Sequence, residues 1–152
     1  MSMIDDSDVQ AKSTRLRILV VGFFVPLGIS LTAVVLMISW LPSLPDPIAV
    51  HWTVGPEPDG FGPAWPFTLA PIVIMVLYCM ILGIGTYRLT PAGGITANQK
   101  FLVVTSVWLS VMLSVTFAGS VAGQRGLTDP HEAPNIGPWL VFGIGTGLVL
   151  AS

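Results

Sequence analysis

Leu44-Pro-Asp-Pro-Ile-Ala-Val-His-Trp-Thr-Val-Gly-Pro-Glu-Pro-Asp-Gly60 is the one long polar stretch of this chain that carries signals of ordered structure. Ile48, Val50, Trp52 and Val54 alternate with Ala49, His51 and Thr53, the period-two pattern of a strand. Pro42, Pro45 and Pro47 come before it and favour extended backbone, so the preceding helix cannot run on. Gly55-Pro-Glu-Pro-Asp-Gly60 follows and is dense in turn residues. The segment predicts a short ordered cap, with a strand over residues 48–54 and a turn over 55–60.

Both flanks read as membrane. The chain has 152 residues, of which 53% are hydrophobic and 9% charged, and its mean hydropathy is +0.81. A soluble domain carries roughly a quarter charged residues. Long uncharged apolar runs are what a hydrocarbon layer about 30 Å thick selects, because an ionised side chain is costly there. A net charge of −2 and the lack of a basic stripe exclude nucleic acid as a partner. Cys79, the single cysteine, lies inside an apolar run and reads as a small packed thiol.

Four apolar runs cover about 16–41, 66–89, 101–122 and 136–152, with an outer loop over 42–65 and a polar tail over 1–15. The tail is expected to be disordered or a short extension of the first helix. The first run is too long for the core of a signal peptide and lacks a small-x-small cleavage site, so it reads as an anchor. Pro26 inside it predicts a kink. Pro71 falls near the start of the second run, where proline costs least. The last run stops without a polar anchor, which leads us to expect further sequence beyond it.

Lys12, Arg15, Arg17, Arg88 and Lys100 fall on one side of these spans, and Arg125 alone falls on the other. The positive-inside bias makes the first side cytoplasmic. Trp40, Trp52, Trp65 and Trp139 then lie near the outer face, and Tyr87 and Arg88 end the second span as interface residues. The expected fold is therefore an all-α integral membrane protein. It has four transmembrane helices, both termini cytoplasmic, and an ordered extracytoplasmic loop between the first two helices.

Apart from Arg17 and Arg88 at their cytoplasmic ends, no Asp, Glu, Lys, Arg or His lies inside the four runs, which argues against a pump or coupled transporter. Small residues do recur at helical spacing: Ser106, Ser110 and Ser114, then Gly119 with Gly123, and Gly143 with Gly147. Such stripes let helices approach closely. They suit packing of the third helix on the fourth, the favoured reading, or the face of a homodimer. The glycine runs of the second and fourth spans follow no strand and are not phosphate loops.

His51 with Asp46, Glu57 and Asp59 offers imidazole and carboxylate groups of metal-ligand type. The spacing matches no zinc or calcium pattern, so no metal or other cofactor is expected. A hydrogen-bonded His51 within the cap and an Asp59 that shapes the turn are the favoured reading. His131 and Glu132, in the second outer loop, lie at no fixed distance that the sequence can supply.

Leu44, Pro45, Asp46, His51, Trp52, Pro58, Asp59 and Gly60 together resemble the signature of a bacterial membrane domain of unknown function (DUF1648). That domain also forms the front part of Sdp-type immunity proteins. Thr53 stands where the family often has Asn or Gly, and Gly55-Pro56 shifts its usual glycine by one position. The resemblance implies a bacterial plasma-membrane protein whose outer loop meets an extracytoplasmic peptide or another membrane protein. Asp46, His51, Trp52, Glu57, Asp59 and Gly60 are the residues that would do so. A structural or accessory subunit of a larger membrane complex is the alternative. No zincin motif, serine elbow, carboxylate pair or cysteine–histidine arrangement points to an enzyme.

Overall fold

A computed structural model describes residues 6–53, 55–88 and 96–151. The chain runs through α1 (Asp6–Leu19), a π-helical turn (Val20–Phe24), α2 (Val25–Trp40) and a 3-10 turn (Leu41–Ser43). Strands β1 (Ile48–Trp52) and β2 (Pro58–Gly62) follow, then α3 (Ala64–Arg88) and α4 (Ala97–Gly123). A second 3-10 turn (Pro130–Glu132) leads into α5 (Gly137–Ala151). The far end of the tail (residues 1–5), Val54, most of the connection between the second and third apolar runs (residues 89–95) and Ser152 lie outside the described residues.

Three stretches are long and apolar enough to cross a membrane: Lys12–Ser43, Ala64–Ile81 and Ala97–Gly123. The fourth apolar helix, Gly137–Ala151, has 15 residues. At about 1.5 Å per residue it reaches about 22 Å, short of the roughly 30 Å hydrocarbon core. The surface agrees with a lipid solvent. Ile81, Val141 and Val149 are 74%, 71% and 74% exposed, while Ser30, Ser110 and Thr68 are fully buried. Water would favour the opposite arrangement.

The hydroxyls that lie in the spans are largely satisfied within their own helix. Thr105, Ser106 and Ser110 donate to the Phe101, Leu102 and Val107 carbonyls at 2.7, 2.8 and 2.8 Å. Ser30, Ser114, Thr116 and Ser120 are buried with no such partner among the described residues.

The first long helix begins at Asp6, well inside the polar tail, and its irregularity sits one turn before Pro26. Pro26 has no N–H, so the Gly22 carbonyl loses its ordinary partner four residues on. The ladder widens there: the Val25 N–H bonds the Val20 carbonyl, five residues back. Cys79 on α3 brings its Sγ to 4.0 Å from the Gly22 oxygen, a weak thiol contact to the carbonyl that lacks its i+4 partner. Thr96 caps α4 reciprocally, its hydroxyl accepting from the Gln99 N–H while the Gln99 side chain accepts from the Thr96 N–H.

Contacts along the helices fix their directions. Met112, Thr116 and Trp108 of α4 meet Gly143 and Gly147 of α5, and Trp139 meets Gly119, so α4 and α5 are antiparallel. Cys79 lies near Gly22, while Phe67 joins the core of Ala33, Val34, Met37 and Val121; α3 therefore runs against α2. Phe67 and Phe117 rings pack at 4.7 Å in that core.

One element departs from an all-helical chain. β1 and β2 form an antiparallel hairpin. Pro58, Asp59 and Gly60, read from sequence as turn, are strand residues: Pro58 pairs with Trp52 and Gly60 with His51, while Asp59 falls at the irregularity between them. The reason is local: two irregularities in the ladder, either side of His51, let a proline–glycine segment pair although its composition signals a turn.

Candidate functional site

The hairpin lies at the end of the bundle where α2 and α4 finish; two side chains fasten it there, and a third contact ties down the turn that leads into it. Gln124, fully buried at the C-terminal cap of α4, is the first. Its Oε1 accepts from the Ala49 N–H at 2.8 Å, and its Nε2 donates to the Ala49 carbonyl at 3.0 Å. The amide thereby imitates a neighbouring strand on β1. A second Nε2 bond reaches the Ser120 carbonyl at 3.3 Å. Ile48 and Ala49 are both fully buried, so the strict alternation expected along the strand breaks down at its start.

Asn135 is the second fastening. Its Nδ2 donates to the Gly55 carbonyl at 2.9 Å, and its Oδ1 accepts from the Gly137 N–H at 2.7 Å. One side chain thus holds the hairpin turn and satisfies the first turn of α5. At the third, the Gly126 N–H donates to the Ser43 carbonyl at 2.7 Å, the Arg125 Nε to the Ser43 hydroxyl at 3.3 Å. The Arg125 guanidinium also lies 5.1 Å from the Trp40 ring centroid, within cation–π range. Gly126 has a positive φ of 78°, which a side chain would resist.

The exposed side of the hairpin carries the polar groups. His51 Nδ1 and Asp59 Oδ1 are 2.7 Å apart, with the two side chains 66% and 41% exposed. The His51 hydrogen bond holds the Asp59 carboxyl below its usual range; desolvation opposes this, and the Thr53 hydroxyl adds to the lowering. Gly60 stands across the ladder from His51; a Cβ there would sit 2.6 Å from the His51 Cβ. Only glycine fits. The pairing of His51 with Asp59 therefore rests on a strand partner without a side chain.

The second loop contributes a similar pair. His131 stacks its ring 4.5 Å from that of Phe61, and its Nδ1 lies 2.8 Å from Asp129 Oδ1. The His131 backbone N–H also donates to Asp129 at 2.9 Å, and this bond is the main reason that its carboxyl is held low. Asp46 and Glu57 are exposed, and neither joins the His51–Asp59 pair. The Asp46–Pro47 peptide is cis. Trp52 is half-buried, and its indole Nε1 finds no hydrogen-bond partner among the described residues. No cluster of three or more His, Cys, Asp or Glu side chains arranged for a metal occurs among the described residues.

The small-residue positions lie elsewhere, in the bundle. Ser106, Ser110 and Ser114 are buried on α4. A methyl at Gly119 would overlap the Trp139 indole, and one at Gly123 would sit 2.6 Å from Pro134 Cγ. At Gly143 and Gly147 it would lie 2.8 and 2.9 Å from the Met112 and Trp108 carbonyl oxygens. All four glycines thus face groups of the same chain. Gln124 and Asn135 escaped the sequence reading. Their signal was faint: a lone amide just past the end of an apolar run, and an Asn two residues before a helix.

Three membrane-length helices, with a pinned hairpin at one end, define a membrane-type helical protein. Residues 27–76 match the family model described as Domain of unknown function (DUF1648). The match runs from α2 through the whole hairpin into α3, and so contains His51, Asp59 and Ala49 but not Gln124 or Asn135. No curated protein and no solved structure matches the chain.

Proposed function

We propose that this chain is a multi-pass protein of the bacterial plasma membrane whose hairpin binds an extracytoplasmic peptide or a membrane protein partner. In this reading the N-terminus is cytoplasmic and the hairpin faces out, as the distribution of Lys and Arg favours. The protein acts by binding, without catalysis and without a cofactor, in the manner of immunity or signalling-associated membrane proteins.

The observation that carries the proposal is the fastening of β1 by Gln124, at 2.8 and 3.0 Å, beneath an exposed His51–Asp59 pair. A strand held from below costs little further ordering when a partner binds, and fixed polar groups give that partner a definite register. The test is purification of the tagged protein from its native cells in mild detergent, with mass spectrometry of what accompanies it. His51→Gln and Asp59→Asn should lose the partner while expression and thermal stability stay normal. Loss of expression alone would make the pair a folding element and end the proposal.

A second reading, an accessory subunit of a larger complex, has its own support. α5 packs mainly on α4, and Val141, Leu148 and Val149 leave its other side exposed. In that case stoichiometric partners would survive His51→Gln and depart on substitution of the α5 face.

A further inference from the structure

The opposite end of the bundle carries a cleft of about 290 Å³ between α1 with its π turn and α4. It is lined by Arg17, Ile18, Val21, Lys100, Val103 and Val104. The order of these residues gives the cleft a polarity. Arg17 follows the polar opening turns of α1, where the apolar part of that helix begins, and Lys100 stands in the first turn of α4; both are exposed. Val21 and Val104 lie four residues further along each helix, roughly 6 Å deeper by the helical rise. Two cations therefore form the rim, and aliphatic side chains form the wall below it.

The floor is close-packed. A Cβ at Gly22 would stand 3.0 Å from Val103 Cγ2, so the helices meet there and close the cleft. Val21 and Val104 remain 43% and 45% exposed, which leaves the wall open on its lipid side. The six lining side chains include no carboxylate, and neither Arg17 nor Lys100 has an ion pair among the described residues.

We propose that this cleft binds one anionic phospholipid, its phosphate between Arg17 and Lys100 and the upper part of an acyl chain against Val21, Val103 and Val104. The chemistry requires both parts. A soluble anion would use the rim and leave the apolar wall bare; a zwitterionic lipid would fill the wall but bring its own cation to Arg17 and Lys100. The volume is near the lower bound of small-molecule sites, roughly 300–1,000 Å³, enough for a head and the first part of a chain. Basic clefts between membrane helices are a recurring form of anionic lipid site. This inference concerns the end away from the hairpin and does not rest on partner binding there.

The test is native mass spectrometry of the full chain in mild detergent, titrated separately with phosphatidylglycerol and phosphatidylcholine. One phosphatidylglycerol should be retained per chain, and Arg17→Gln with Lys100→Gln should weaken it by roughly thirtyfold, a little over fivefold per cation. Phosphatidylcholine affinity should be unchanged by the same pair. Val104→Phe, which fills the cleft without altering charge, should lower phosphatidylglycerol retention at unchanged helicity by circular dichroism. Equal retention of the two lipids by the wild-type protein would overturn the site. So would phosphatidylglycerol binding that survives the double substitution, or one that inorganic phosphate displaces completely, since the wall would then contribute nothing.

Discussion

The side chain of Gln124 makes both hydrogen bonds of a strand neighbour to Ala49, 75 residues away, accepting at 2.8 Å and donating at 3.0 Å. A hairpin of two short strands is marginal in isolation. Here one buried amide at the end of a membrane helix supplies the third partner that the sheet lacks.

Replacing Gln124 by Leu should therefore do more than remove two hydrogen bonds. The Ala49 N–H and carbonyl are fully buried and would be left unpaired, at about 1–3 kcal/mol for each group. Thermal unfolding in detergent should fall accordingly, and amide exchange at Ala49 should accelerate before the helices open. Unchanged protection of the Ala49 amide in Gln124→Leu would show that the clamp is dispensable.

The α4–α5 seam makes a contrast between glycines. Gly119→Ala drives a methyl into the Trp139 ring and Gly147→Ala one into Trp108, and each should destabilise by about 1–3 kcal/mol. Gly145 meets nothing within 4 Å, so Gly145→Ala should be neutral or stabilising by up to about 1 kcal/mol through helix propensity. Chemical denaturation in mixed micelles ranks the three. Equal effects would mean that α5 does not pack as described.

Low pH should loosen the exposed pair on the hairpin. The Asp59 carboxyl lies below its usual value of 3.8 because His51 donates to it. A depressed folded pKa contributes stability that is complete above the unfolded value and is lost as pH falls through the folded one. The His51–Asp59 link should thus persist at neutral pH and fail only below 3.8. Carbon-detected NMR of the Asp59 carboxyl reads the midpoint directly, and Asp59→Asn should abolish the accompanying shifts of the hairpin amides. A midpoint at or above the usual value would contradict the bond.

Cys79 offers an internal reporter. Its thiol is 2% exposed and packs toward the Gly22 carbonyl. Maleimide labelling should be negligible in the folded protein and should rise together with global unfolding on heating. Rapid labelling well below that transition would place Cys79 at the surface instead.

Much of this fold is legible in the chain because the membrane imposes so simple a rule. Apolar runs of sufficient length without charge mark the helices, and Pro26 marks the irregular turn to within a few residues. The hairpin was only half visible. Ile48 to Trp52 alternate and read as a strand, whereas Pro58-Asp-Gly60 carry turn chemistry that the ladder irregularities beside His51 override. The fastenings were invisible for a different reason. Gln124 and Asn135 act across 75 and 80 residues, and a lone polar residue after a helix predicts no partner at such a distance. The pairing of His51 with Asp59 was closer at hand, eight residues apart, yet spacing alone could not choose among Asp46, Glu57 and Asp59.

The measurement that bears most directly on the hairpin as a binding surface is site-specific photocrosslinking in intact native membranes. A photoreactive residue would replace Glu57, exposed in the hairpin turn, and in a separate protein Phe142, 60% exposed on α5. The account predicts one discrete peptide or protein adduct from position 57, lost on Asp59→Asn, and only lipid adducts from position 142. A protein or peptide adduct from position 142 with none from position 57 would contradict it, and would move the working surface of this protein from the hairpin to its helices.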